Sequence, residues 1–152
     1  MPGVPQALQV LATLVVKEGV ALGGLGEDTR QLALGLVWAG LPQPTMTEAA
    51  VNEALRQQLA GPARCLGTDH VELRRWLCDA GWLQRDGWGR AYQRVARAAL
   101  PPPRQALAAA LEQLFEGTTS ADWVAQRRAA RAAERLARRR AHEGAGLAAA
   151  AR

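Results

Sequence analysis

Glycine and proline punctuate this chain at 19–26, 41–44, 61–62, 81, 86–89, 101–103 and 117, and that spacing limits what it can fold into. The stretches between breaks are short, and each must bury its apolar side against its neighbours. Leu8, Leu11, Leu14 and Val15 share one side of a helix over 5–18. A second helix is expected over 27–39, with Leu32, Leu36 and Trp38 inward. The 41–44 segment, Leu-Pro-Gln-Pro, reads as a rigid connector. Thr45 and Thr47 are both placed to cap a third helix, and Thr45 with Glu48 has capping-box spacing. That helix buries Val51, Leu55 and Leu59 and stops at Gly61 and Pro62.

Thr68 or Asp69 opens a fourth helix, with Leu73, Trp76, Leu77 and Ala80 on one face. Gly81 suits the left-handed residue that ends it. Residues 82–85 and 90–95 flank the Gly-rich 86–89 turn and predict one β-hairpin. A fifth helix is expected over 104–115. Ser120 is the expected cap of a long final helix running to His142, with the Gly/Ala-rich 144–152 frayed. The glycines of 19–26 lack the Gly-Lys-Ser/Thr ending of a phosphate loop and read as a flexible turn.

Apolar residues make up 49 % of the 152, enough for a core, and Ala and Leu far outnumber β-branched residues. The expected fold is therefore mainly α with one β-hairpin. It divides into an N-terminal helix and turn (1–26), a central domain (27–100) and a C-terminal helical extension (101–152) with a basic final helix. The net charge of +5 is not spread evenly. Residues 120–152 hold eight Arg and three acids, whereas the remainder holds eleven bases and eleven acids. The longest apolar stretch, 7–16, is interrupted by Gln9 and Thr13 and is too short to span a bilayer. Residues 1–7 lack the positive start of a signal peptide. A cytoplasmic location without membrane attachment is expected.

The central sequence carries a denser pattern. Glu48, Val51, Asn52 and Leu55 lie on the third helix. Asp69, Leu73, Arg74, Arg75, Leu77, Asp79, Gly81, Leu83 and Arg85 follow, then Gly89 and Tyr92. This arrangement resembles the bacterial family known as domain of unknown function 2087. The resemblance covers 46–92 and implies a winged-helix-like fold, no established activity, and nucleic-acid binding as the role to expect. The 61–67 loop and Trp88 depart from the family pattern, and 101–152 lies outside it.

Three groups of side chains are candidates for that role. Arg74 and Arg75 lie on the helix before the hairpin, the recognition-helix position of a winged helix, where arginine reaches phosphates and guanine edges. The competing reading pairs Arg75 with Glu72 and Asp79 in an exposed ladder. Arg90, Tyr92 and Arg94 alternate on one face of the hairpin, and with Arg85 and Trp88 make a basic, aromatic wing. Against this, Tyr92 and Trp82 can simply pack on the Trp76 face. On the final helix Arg127, Arg128, Arg131, Arg135, Arg138 and Arg139 form one stripe, opposite Ala125, Ala129, Ala132, Ala133 and Leu136. Such a stripe suits phosphates, or is the solvated side of a helix that packs through its alanines.

Catalysis and metal binding find no support. Cys65, His70 and Cys78 are the one set near enough in sequence to suggest a metal. His70 and Cys78 stand about 12 Å apart along one helix, too far to share an ion with bonds of about 2.0–2.3 Å. The two cysteines make no disulfide scaffold, and neither His has an evident triad partner. The expectation is a non-enzymatic module that binds nucleic acid, DNA in the first instance, as a transcriptional regulator, without cofactor or metal. The alternative is an adaptor that docks a protein partner, or its own copy, through the final helix.

Overall fold

Most helices start where the chain supplies a side-chain oxygen for a free amide or a proline that has none to satisfy. The computed structural model describes residues 3–42, 45–88 and 90–151. Helix α1, Val4–Leu14, carries Pro5 in its first turn, where the missing N–H costs nothing. Helix α2 spans Glu27–Ala39, and Glu27 and Asp28 complement its N-terminal dipole. Thr47 caps α3, Glu48–Ala60, by accepting from Ala50 N. Asp69 caps α4, His70–Asp79, by accepting from Glu72 N at 2.8 Å. Removing that cap has a defined cost: Asp69→Ala should lower stability by about 1 kcal/mol, read as a shifted urea midpoint with unchanged slope. Helix α5, Pro102–Leu114, again begins on proline.

Helix α2 is the centre of the molecule. Seven consecutive residues from Leu32 to Trp38 are buried, so it is covered on all sides. Helices α1, α4 and α5 pack around it. Gly35 permits this: a Cβ there would come within 2.8 Å of Leu111 and 3.2 Å of Trp82. Trp38 and Trp82 are both fully buried, with ring centroids 5.5 Å apart. Trp82 Nε1 donates to Gln31 Oε1 and Trp38 Nε1 to the Val95 carbonyl, each at 2.8 Å. The five helices and the first turn of the sixth share one core, which includes Leu111, Trp123 and Val124.

The sheet differs from the expected single hairpin. Strands β2, Leu83–Arg85, and β3, Ala91–Arg94, do pair antiparallel. A third strand, β1, Thr45–Thr47, pairs with β3 on its other side, giving the order β1-β3-β2. The physical reason is Met46, only 5 % exposed, which lies opposite Tyr92 between two exposed threonines. A three-residue alternation is too brief to register as a period, and both threonines also suit a helix cap. Thr47 does both jobs.

Three other expectations change. The cap of the last helix, α6, Ser120–Ala150, is Thr119, whose hydroxyl accepts from Asp122 N at 3.0 Å; Ser120 is buried one residue further on. Helix α6 also continues past His142 to Ala150, because the alanines of 148–150 favour helix enough to carry it through Gly144 and Gly146. The 19–26 segment is held in place. Val20 and Leu66 form a bridge, Gly67 N donates to the Val20 carbonyl at 2.8 Å, and Arg30 donates to the Leu22 and Leu25 carbonyls. Gly19 has φ +63° there, a conformation that suits glycine. Gln43 and Pro44 of the connector and Gly89 of the turn lie outside the described residues.

Candidate nucleic-acid interface

The sequence candidates divide by where their guanidinium groups go. Arg74 points inward. It donates to Asn52 Oδ1 on α3, lies 3.6 Å from the Glu48 carboxylate, and sits 5.3 Å from the Tyr92 ring centroid. One arginine thus ties α4 to α3 and to β3. Arg94 also faces in: Nε donates to the Trp38 carbonyl at 2.8 Å, and the guanidinium lies 3.8 Å from the Trp38 ring centroid. Its burial pulls its pKa below the usual arginine value, with Glu112 opposing that shift. Tyr92 is 2 % exposed. The alternation of Tyr92 and Arg94 therefore holds, but their shared face lies on the core. A phenol ring opposite Met46 gains more from burial than from display.

The outward set is smaller. Arg75, on α4, is exposed, and among the described residues it forms no ion pair with Glu72 or Asp79. Gly81, at φ +84°, turns the chain out of α4 into β2. Arg85 closes β2 and is exposed, as is Arg90 after the turn. Asp86 Oδ1 accepts from Arg90 N at 2.9 Å, so the turn is braced from within. Trp88 stands at its tip, 84 % exposed, the most exposed large apolar side chain described.

The pattern that carries the family resemblance can be accounted for against these positions. Val51, Leu55, Leu73, Leu77, Leu83 and Tyr92 are core. Asp69 is a cap, Gly81 takes a left-handed turn, and Glu48, Asn52 and Arg74 hold one another. Arg75, Asp79 and Arg85 are left on the surface.

On α6 the arginine stripe is split. Arg127 stacks 5.4 Å from the Trp123 ring centroid. Arg128 crosses to the end of α1, donating to the Val15 and Lys17 carbonyls at 2.9 and 3.2 Å and to the Glu18 carboxylate. It thereby satisfies carbonyls of the chain that leaves α1. Arg131 and Arg138 each lie within 3.6 Å of Glu134, an exposed and weak pairing. Arg135 and Arg139 are exposed. The alanine face does not pack: Ala125, Ala129, Ala132, Ala133 and Leu136 are all exposed, and α6 is attached through Trp123, Val124 and Arg128 instead. Alanine has too little apolar surface to compete with Trp123 for the core.

Among the described residues, no three His, Cys, Asp or Glu side chains are grouped to hold a metal ion. Cys65 and Cys78 are free thiols. Burial pushes Cys65 up to about 11 and raises Cys78, against a lowering by Arg74, so neither is poised as a nucleophile at neutral pH. No helix described is long and apolar enough to cross a membrane.

The fold and these surfaces define a mainly helical domain with a three-stranded antiparallel sheet, presenting arginines and one tryptophan around a turn. Residues 26–94 match the model of a family described as an uncharacterized protein conserved in bacteria (DUF2087). The match takes in α2, the sheet, α3 and α4, and leaves α1, α5 and α6 outside. No curated protein and no solved structure matches the chain.

Proposed function

We propose that this chain is a non-catalytic nucleic-acid-binding module of winged-helix type, acting on DNA as a cytoplasmic regulator of transcription. The element order supports this reading. Helix, strand, helix, helix and two strands, with the last strand central in the sheet, is the order of a winged helix, in which α4 is the recognition helix and the 86–90 turn the wing. The observation that carries it is the exposed set Arg75, Arg85, Trp88 and Arg90. An exposed tryptophan between two arginines gives a nucleic acid both phosphate contacts and a stacking surface. Folding alone gives no reason to leave that ring in water.

The test is anisotropy of labelled duplex DNA, single-stranded DNA and RNA at several salt concentrations. Replacing Arg75, Arg85 and Arg90 together by Ala should reduce the salt slope on duplex DNA by about 0.9 for each phosphate that is no longer neutralised. Trp88→Ala should weaken single-strand binding by about 1–3 kcal/mol while leaving the salt slope unchanged. Absence of binding by the folded protein at low salt would sink the reading.

A further inference from the structure

We propose that the cleft where α6 leaves the body is a docking groove for an acidic, amphipathic helix of a partner protein. This goes beyond the nucleic-acid reading, which rests on α4 and the turn after β2. The cleft encloses about 830 Å³ between the chain that follows α1 and one side of α6. Arg128 fixes its geometry, because its bonds to the Val15 and Lys17 carbonyls and to Glu18 hold α6 against the end of α1.

Two kinds of surface meet in it. The apolar part comes from Val16 and Val20 on one side and from Ala132 and Leu136 on the other. Leu136 is 46 % exposed, so this part is wet in the free protein. The cationic part comes from Arg131, Arg135 and Arg139, with Lys17 from the chain after α1; the one carboxylate in the lining, Glu18, is paired with Arg128, so the cleft keeps a cationic excess. Arg131, Arg135 and Arg139 recur every four residues, a row about 12 Å long, or two turns of helix.

The complement of such a groove carries carboxylates at one-turn spacing beside a stripe of apolar side chains, which is an acidic amphipathic helix. A phosphodiester strand would meet the arginines but leave Leu136 and Val20 in water. A second copy of α6 is a poor occupant, since residues 120–152 hold eight Arg against three acids and the rest of the chain is balanced. Every described residue from Ala132 onward is exposed, so among the described residues none already covers that part of the groove's α6 side. A bound helix would supply the tertiary contact that a helix in water otherwise lacks.

The experiment uses the full-length protein and three probes. One is a fluorescein-labelled peptide of about five helical turns, with leucines at i, i+3, i+4 and i+7 and glutamates flanking them. The second has the same composition in scrambled order, and the third is a duplex DNA. The amphipathic peptide should bind at least about tenfold more tightly than the scrambled one, and Leu136→Gln or Arg135→Glu should each weaken it by about tenfold. Both positions are exposed, so an unchanged thermal melt will show that the variants are folded. Arg85→Ala with Arg90→Ala should leave peptide affinity unchanged. Equal binding of both peptides would reduce the groove to a diffuse positive field and overturn the proposal. So would indifference to Leu136→Gln. DNA that displaces the peptide and is weakened equally by Leu136→Gln would make the cleft a nucleic-acid surface instead.

Discussion

Trp82→Ala should cost about 3–5 kcal/mol of folding stability, the usual range for removing a buried tryptophan. That is a large share of the roughly 5–15 kcal/mol that holds a typical domain together. Trp82 has no exposed surface, its ring lies against Trp38, and its edge approaches the backbone at Gly35. Truncation would leave a cavity between α2, α4 and α5 and would strip Gln31 Oε1 of its donor. Trp82→Phe should cost less, because most of the packing survives and Gln31 is near enough to the surface to find water. Urea unfolding followed by circular dichroism will measure both. A midpoint for Trp82→Ala close to that of the parent would mean that the two-tryptophan centre does not hold the helices together.

Cutting the chain after Thr118 and cutting it after Arg131 should have opposite outcomes. The first removes Trp123 and Val124, which are 7 % and 2 % exposed, and with them the ring contact to Phe115 and the Arg128 bonds to α1. Loss of one buried tryptophan and one buried valine corresponds to about 4–6 kcal/mol, so the shorter protein should melt at much lower temperature or without cooperativity. The second cut keeps all of those interactions and removes only exposed residues. Its melt should stay within a few degrees of the full chain. Similar melting of both truncations would show that α6 is an independent appendage.

The contrast between those cuts marks where punctuation stops being informative. Gly117 and the two threonines after it have the composition of a boundary, and a helix does begin there. What the letters 118–124 do not show is that the first turn of that helix turns back onto the core. A single Trp-Val pair at the start of a long polar helix has no period to betray it. The same applies to β1, where three residues carry one buried side chain.

Arg74 behaves likewise within the site. In sequence it is one of two adjacent arginines on a helix, and either could face a ligand. Its partners Glu48 and Asn52 stand more than twenty residues away, on α3. They belong to the same pattern of residues, but spacing alone does not distinguish an internal triad from three surface groups. Arg94 and Arg128 are similar. Each is satisfied by backbone carbonyls, which every residue owns and no side-chain pattern announces.

Local chemistry by itself placed the helices and narrowed most of their ends: proline in the first turn of α1, Thr47 and Asp69 each as one of two neighbouring cap candidates, glycine at the left-handed exit from α4, and the apolar face centred on Leu73 and Leu77. These follow from interactions within four residues, so they are written in the order of the letters. Tertiary structure alone decided which arginines are free. That choice depends on which carbonyl the fold brings within hydrogen-bond distance of each guanidinium, about 3 Å, and which ring or carboxylate it places alongside, and such neighbours come from anywhere in the chain. It turned Arg74, Arg94 and Arg128 into internal struts and left Arg75, Arg85, Arg90, Arg135 and Arg139 facing water.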